Sequence, residues 1–154
     1  MVRPGRDRLA GRVEVDETFV GGEESGLRGR LTEQKSLVAI AAEEDGAGIG
    51  RIRLARIPDA TRLNLHRFIE QAIEPGAVVH TDGFPAYRQL EAKGYRHEAT
   101  VLLGQKDKDA ALRLLPRVHR VAGLLKRWLL GTHQGGVSPE WHYRLLGKNL
   151  WRFA

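Results

Sequence analysis

Two kinds of apolar spacing follow one another along this chain, and their order limits its fold more than any other feature. Gly11 to Gly22 (GRVEVDETFVGG) alternates, with Val13, Val15, Glu17 and Phe19 on one parity and Glu14, Asp16, Thr18 and Val20 on the other. Its β-branched residues and closing glycine pair predict a strand ending in a turn. Glu23 to Lys35 is charged and glycine-bearing and reads as a loop. Ser36 to Ala42 (SLVAIAA) is a short apolar run suited to a buried strand. Glu43 to Gly46 then turns the chain into Gly50 to Ile57 (GRIRLARI), which largely alternates. Strands this close in sequence predict an antiparallel meander.

The spacing then changes. Asp59 or Thr61 can cap a helix with apolar positions at Leu63, Leu65, Phe68, Ile69, Ala72 and Ile73, stopped by Pro75-Gly76. A fourth strand, Ala77 to Thr81, follows this helical crossover and is expected to be parallel to its neighbour. Asp82-Gly83-Phe84-Pro85 is the loop at its carboxyl end. A helix over Ala86 to Lys93, a fifth strand over Tyr95 to Val101 and a polar connection over Gln105 to Asp109 come next. Pro116 can open a last helix at its first turn. The expected fold is α/β: a mixed five-stranded sheet, three antiparallel strands then parallel ones, flanked by helices. This is the element order of RNase H-like domains.

At 154 residues the chain is long enough for one domain with a real core. No apolar run approaches the roughly 20 residues that span a bilayer. The start, MVRPGRDR, leads into no apolar segment, so a cytoplasmic location is expected. With no cysteine, any metal must be held by Asp, Glu or His. The net charge of +6 favours a polyanionic partner. From Arg113 to the end the only acid is Glu140, whereas the middle of the chain holds nearly all the carboxylates. A basic periphery around an acidic centre suits phosphate gripping combined with metal binding. It is also what a solvated basic surface with no ligand looks like.

Asp16 sits mid-strand and Asp82 at a strand tip, followed at once by glycine. If those strands are neighbours, both carboxylates reach one divalent cation. Mg²⁺ and Mn²⁺ prefer oxygen ligands and keep several waters, so two aspartates on rigid strands suffice as a scaffold. Two such ions can serve both the attacking and the leaving oxygen of a phosphodiester. Taken alone, a strand aspartate is ordinarily solvent-facing and Asp-Gly is a common turn. Glu14 and Glu17 flank Asp16, and spacing leaves open which carboxylate faces the site.

In the last helix Val118, Val121, Ala122, Leu125, Trp128 and Leu129 form an apolar stripe. His119 and Lys126, seven apart, lie on one line at its margin, about 10 Å apart along the axis. Gly123 between them keeps that surface open. A metal ligand at one end and a phosphate-binding cation at the other suit a DNA-cutting site. The plainer reading is a boundary histidine and a surface lysine.

Four stretches resemble the insertion-sequence transposases of the ISXO type, which carry an RNase H-like DDE catalytic domain. They are Val13 to Gly22 (VEVDETFVGG), His80 to Phe84 (HTDGF) with Tyr87, Pro116 to Val121 (PRVHRV) and Leu124 to Gly135 (LLKRWLLGTHQG). The resemblance runs from about Arg3 to Pro139. It implies a basic arm over 1–12, a catalytic domain over 13–135 and a divergent basic tail over 136–154. It also implies that Asp16 and Asp82 are the two catalytic aspartates. His119, 37 positions after Asp82, stands where the third acidic residue falls, a position at which this family admits Asn or His. Lys126 stands at the basic position seven further on. Implied with these are a two-metal Mg²⁺ or Mn²⁺ site on Asp16, Asp82 and His119, and contacts to double-stranded DNA by Lys126, Arg127, Arg120, Arg117 and His133. A homo-oligomer acting on paired element ends is implied as well.

The chain departs from the pattern in two places. No Cys-x-x-Cys pairs precede the domain, and Glu140 to Ala154 (EWHYRLLGKNLWRFA) does not match the usual ending, so a truncated copy is expected. The leading expectation is metal-dependent cleavage and strand transfer at element ends. The alternatives are an inactive remnant that only binds DNA through its basic surface, and a stand-alone nuclease of the same fold.

Overall fold

The computed structural model describes residues 7–21, 35–100 and 113–133. Five strands form one sheet: β1 (Arg12–Val20), β2 (Ser36–Asp45), β3 (Gly48–Ile57), β4 (Val78–Thr81) and β5 (Arg96–Ala99). Helix α1 spans Arg62–Ala72 and helix α2 spans Pro116–His133. The strand order is β3-β2-β1-β4-β5, antiparallel from β3 to β1 and parallel from β1 to β5. This is the predicted α/β fold with its mixed, RNase H-like sheet. No helix of the described residues is long and apolar enough to cross a membrane.

Each face of the sheet is sealed by one helix, and β2 shows why its sequence is apolar throughout. Leu37, Ala39 and Ala41 point to one face and pack with Leu65, Phe68, Ile69 and Ala72 of α1. Val38, Ile40 and Ala42 point to the other and pack with Val118, Val121, Leu125 and Leu129 of α2. A strand covered on both sides has no polar parity to keep. In β1, Val13 and Val15 join the α1 core, whereas Glu14, Asp16 and Val20 share the α2 face.

Four local expectations are corrected. Leu63 is 68% exposed, not part of the buried stripe of α1; at 100° per residue it sits about 200° from Leu65, on the far side of the helix. Trp128 likewise stays 39% exposed on α2. The segment expected as a helix over Ala86 to Lys93 is two 3₁₀ turns, Pro85–Tyr87 and Leu90–Lys93. They are separated by Gln89 at φ +70°. Eight residues are too few for a stable α-helix on propensity alone, and burial of Tyr87 and Leu90 sets the path instead. Last, the segment expected as an arm is docked by Leu9, which is fully buried. Its N–H donates to the Ala72 carbonyl at 2.8 Å, and its carbonyl accepts from Glu74 N–H at 2.8 Å. The helix cap left open between two residues is Thr61. Asp59 braces it by accepting from Thr61 N–H and Asn64 Nδ2.

On the far edge, Glu43 accepts from Arg51 Nη2 at 2.8 Å, Arg51 Nε at 3.0 Å and Ala10 N–H at 3.1 Å. The Arg51 hydrogen bonds hold its carboxyl at about 2, below the ordinary 4.5. A depressed folded-state value stabilises the fold above the unfolded value and is lost as pH falls towards the folded one. Glu43→Gln is therefore expected to cost about 1–2 kcal/mol above pH 5, after discounting for solvent screening. Wild type and variant should converge between about pH 4.5 and 2 in denaturant titrations. A difference that does not vary with pH would show that the loss comes from packing.

Candidate active site

The parallel register of β1 with β4 decides which carboxylates meet. Glu14 lies opposite His80, so two residues on, Asp82 is carried beside Asp16 on the face that α2 covers. Asp82 stands just past the end of β4 in a fixed turn. Its Oδ1 accepts from Phe84 N–H at 2.9 Å, and Gly83 takes φ +82°. The Thr81 hydroxyl accepts from Gly83 N–H and meets His97 Nε2 at 2.8 Å, bracing the turn from β5.

Asp16 is the electrostatic centre. Its Oδ1 accepts from Glu17 N–H at 2.8 Å, and its Oδ2 lies 3.9 Å from His119 Nδ1. Burial pushes its carboxyl up to about 7, assisted by the charges of Glu17 and Asp82 and opposed by that of Lys126. Asp16 thus feels Glu17, Asp82 and Lys126, and His119 lies next to it. Tyr87 is fully buried below and donates to Glu17 Oε2 at 2.5 Å. Its hydroxyl is pushed well above 10, first by burial, then by Glu17, with Asp16 and Asp82 adding to it. This bond ties the segment that follows Asp82 to the strand that carries Asp16.

The placement of His119 is set from β1. Glu14, only 1% exposed, accepts from Arg117 N–H at 2.7 Å and Val118 N–H at 3.0 Å, and pairs with Arg117 Nη1 at 2.9 Å. The first N–H groups of an α-helix have no partner within the helix, and that end carries positive potential. A carboxylate from the sheet therefore pins the start of α2 two residues before His119. The flanking glutamates are now assigned: Glu14 caps α2, and Glu17 points to the opposite face and bonds Tyr87. Alternation along β1 contained half of this answer, since Glu14 and Asp16 share a parity. The other half, a helix start packed against that parity, has no local signal.

The other candidates separate. Lys126, Arg120 and Arg127 are exposed on α2. Arg117, expected among the DNA contacts, bonds the carbonyls of Gly46 at 2.6 Å and Gly48 at 2.8 Å besides Glu14, so its guanidinium is engaged within the fold. His133 ends α2, and its side chain lies outside the described residues, as do Gln105 to Asp109 and the tail over 136–154.

The donor set fits a divalent cation in kind: two carboxylates and an imidazole, with a carboxyl raised to about 7 by burial first and then by negative neighbours, whose charge a cation would neutralise. Among the described residues no three His, Asp or Glu side chains already converge to ligand distance. The pair Asp16–His119 has come together, and Asp82 stands within electrostatic range.

No curated protein and no solved structure significantly matches the chain. The model of one protein family, described as the ISXO2-like transposase domain, matches residues 8–154, a range that takes in the tail set apart as divergent. The sheet order, the meeting of Asp16 with His119 and this match over nearly the whole length agree, and the chain belongs to the ISXO2-like transposase domain family.

Proposed function

We propose that this transposase domain cleaves DNA at insertion-sequence ends and joins the freed 3′ end to target DNA, both by in-line displacement at phosphorus. Asp16, Asp82 and His119 hold the divalent cations, and Lys126 takes a phosphate oxygen. When bound, Mg²⁺ or Mn²⁺ supplies Lewis-acid charge to the attacking and leaving oxygens. Asp82 is kept in place by its own turn, and Asp16 by the Glu17 N–H. His119 is carried to them by the Glu14 cap. The exposed cations of α2 (Arg120, Lys126 and Arg127) bring the DNA backbone to that corner. The domain acts as a homo-oligomer on paired ends. The reading is carried by one observation: a buried aspartate with a raised proton affinity lies against a histidine from a different element, with a second aspartate and a lysine in range.

A neutral imidazole in the third position lowers the negative charge of the ligand set and offers nitrogen, which Mn²⁺ accepts more readily than Mg²⁺. Strand transfer of pre-nicked element ends is expected to run several-fold faster with Mn²⁺ than with Mg²⁺ at saturating metal. His119→Glu should reduce that preference. Equal or better activity of the wild type with Mg²⁺ across a full titration would remove His119 from the ligand set.

A further inference from the structure

Beside the candidate ligands a cleft of about 640 Å³ opens where β1 ends and β2 begins. Its wall includes Lys126 of α2 and Glu17, the chain neighbour of Asp16 on the other face of β1. From Phe19 at the end of β1 it crosses the start of β2 at Lys35 to the end of β3 at Arg56 and Ile57. That path spans two interstrand spacings, about 10 Å.

Among the described residues two acids also line the cleft, and both are engaged. Glu17 accepts from the Tyr87 hydroxyl, and Asp59 from Thr61 N–H and Asn64 Nδ2. Among the described residues no carboxylate forms a salt bridge with Lys35, Arg56 or Lys126. Three cations therefore line one trough leading away from Asp16, with a half-buried aromatic ring on its wall. A positive groove with an aromatic platform is how proteins hold single strands, the charge following the backbone and the ring stacking a base. The volume lies in the range of small-molecule pockets, room for a few nucleotides of a single strand.

We propose that this cleft binds single-stranded DNA, two or three nucleotides of the strand that flanks the scissile phosphate. The backbone runs past Lys126, Arg56 and Lys35, and a base lies on Phe19. The proposal rests on the DNA-cutting reading above and adds that the end is engaged with its flank unpaired.

The test is binding in chelator, which needs no chemistry. Fluorescence anisotropy would compare a blunt duplex with the same duplex carrying a four-nucleotide single-stranded flank. The probes would be bound to wild type and to the double variant Lys35→Ala/Arg56→Ala. Both side chains are at the surface, so the variant keeps the fold. Wild type should prefer the flanked probe by about tenfold, in line with one stacked base. Without the two phosphate contacts the strand is no longer held over Phe19, so the double variant should lose most of that preference, and its salt slope on the flanked probe should fall by about 1.4, roughly 0.7 per released single-strand contact. Its affinity for the blunt duplex should stay within twofold. Equal affinity of wild type for both probes, or an equal loss on both in the variant, would overturn the proposal. Flank preference without metal-dependent cleavage would instead defeat the catalytic reading and leave the cleft standing.

Discussion

Asp82→Asn is expected to lower cleavage of pre-nicked ends by about 10³-fold or more while DNA binding in chelator stays within twofold. Lewis-acid stabilisation by a bound metal is worth several kcal/mol in the transition state, and each 1.36 kcal/mol is tenfold in rate. Asparagine suits this test because of what it keeps. Its side-chain oxygen can still accept from Phe84 N–H, so the turn holding position 82 persists. Only the charge is removed, and with it the attraction for a cation. Cleavage within tenfold of wild type would take Asp82 out of the catalytic set.

Glu14→Ala should give the second large effect, on stability first and activity through it. The substitution strips two α2 N–H groups of their acceptor and leaves the half-buried Arg117 guanidinium with only the more distant Glu44 carboxylate, at 3.7 Å. Breaking a buried pair by removing one partner costs about 3–5 kcal/mol. In a chain of this length that lowers Tm by roughly 10 °C. Glu14→Gln keeps an acceptor for the helix N–H groups and should lose about half as much. Because His119 follows the cap by two residues, cleavage should fall in both variants in the same order as stability. Thermal unfolding and cleavage measured on the same preparations would check it. A Glu14→Ala protein as stable as wild type would mean that α2 is anchored by its apolar stripe alone.

Much of this fold was legible because its signals are local. Alternation in β1, the two-faced apolar run of β2 and the stop at Pro75-Gly76 all read correctly. Tertiary context decided the rest. The burial of Tyr87 and Leu90 broke the expected helix over Ala86 to Lys93 into two turns. Leu63 was read as core and is exposed because helical phase places it on the far side of α1, whereas Trp128 sits at the margin of its stripe and stays 39% exposed. At the site, Asp16, Asp82, His119 and Lys126 were readable as types at suitable spacings, whereas the approach of Asp82 to Asp16 depends on a parallel register that no spacing encodes. Arg117 shows what charge alone leaves out. Its charge pointed to DNA, yet a buried glutamate 103 positions earlier claims it.

All of these readings depend on whether one cation site draws on both sheet aspartates and the α2 histidine. Anomalous diffraction from crystals grown with Mn²⁺ measures that directly. The account predicts a manganese peak within about 2.5 Å of oxygens of Asp16 and Asp82 and a nitrogen of His119. A peak bound elsewhere, or one that any of the three side chains fails to ligate, would contradict it.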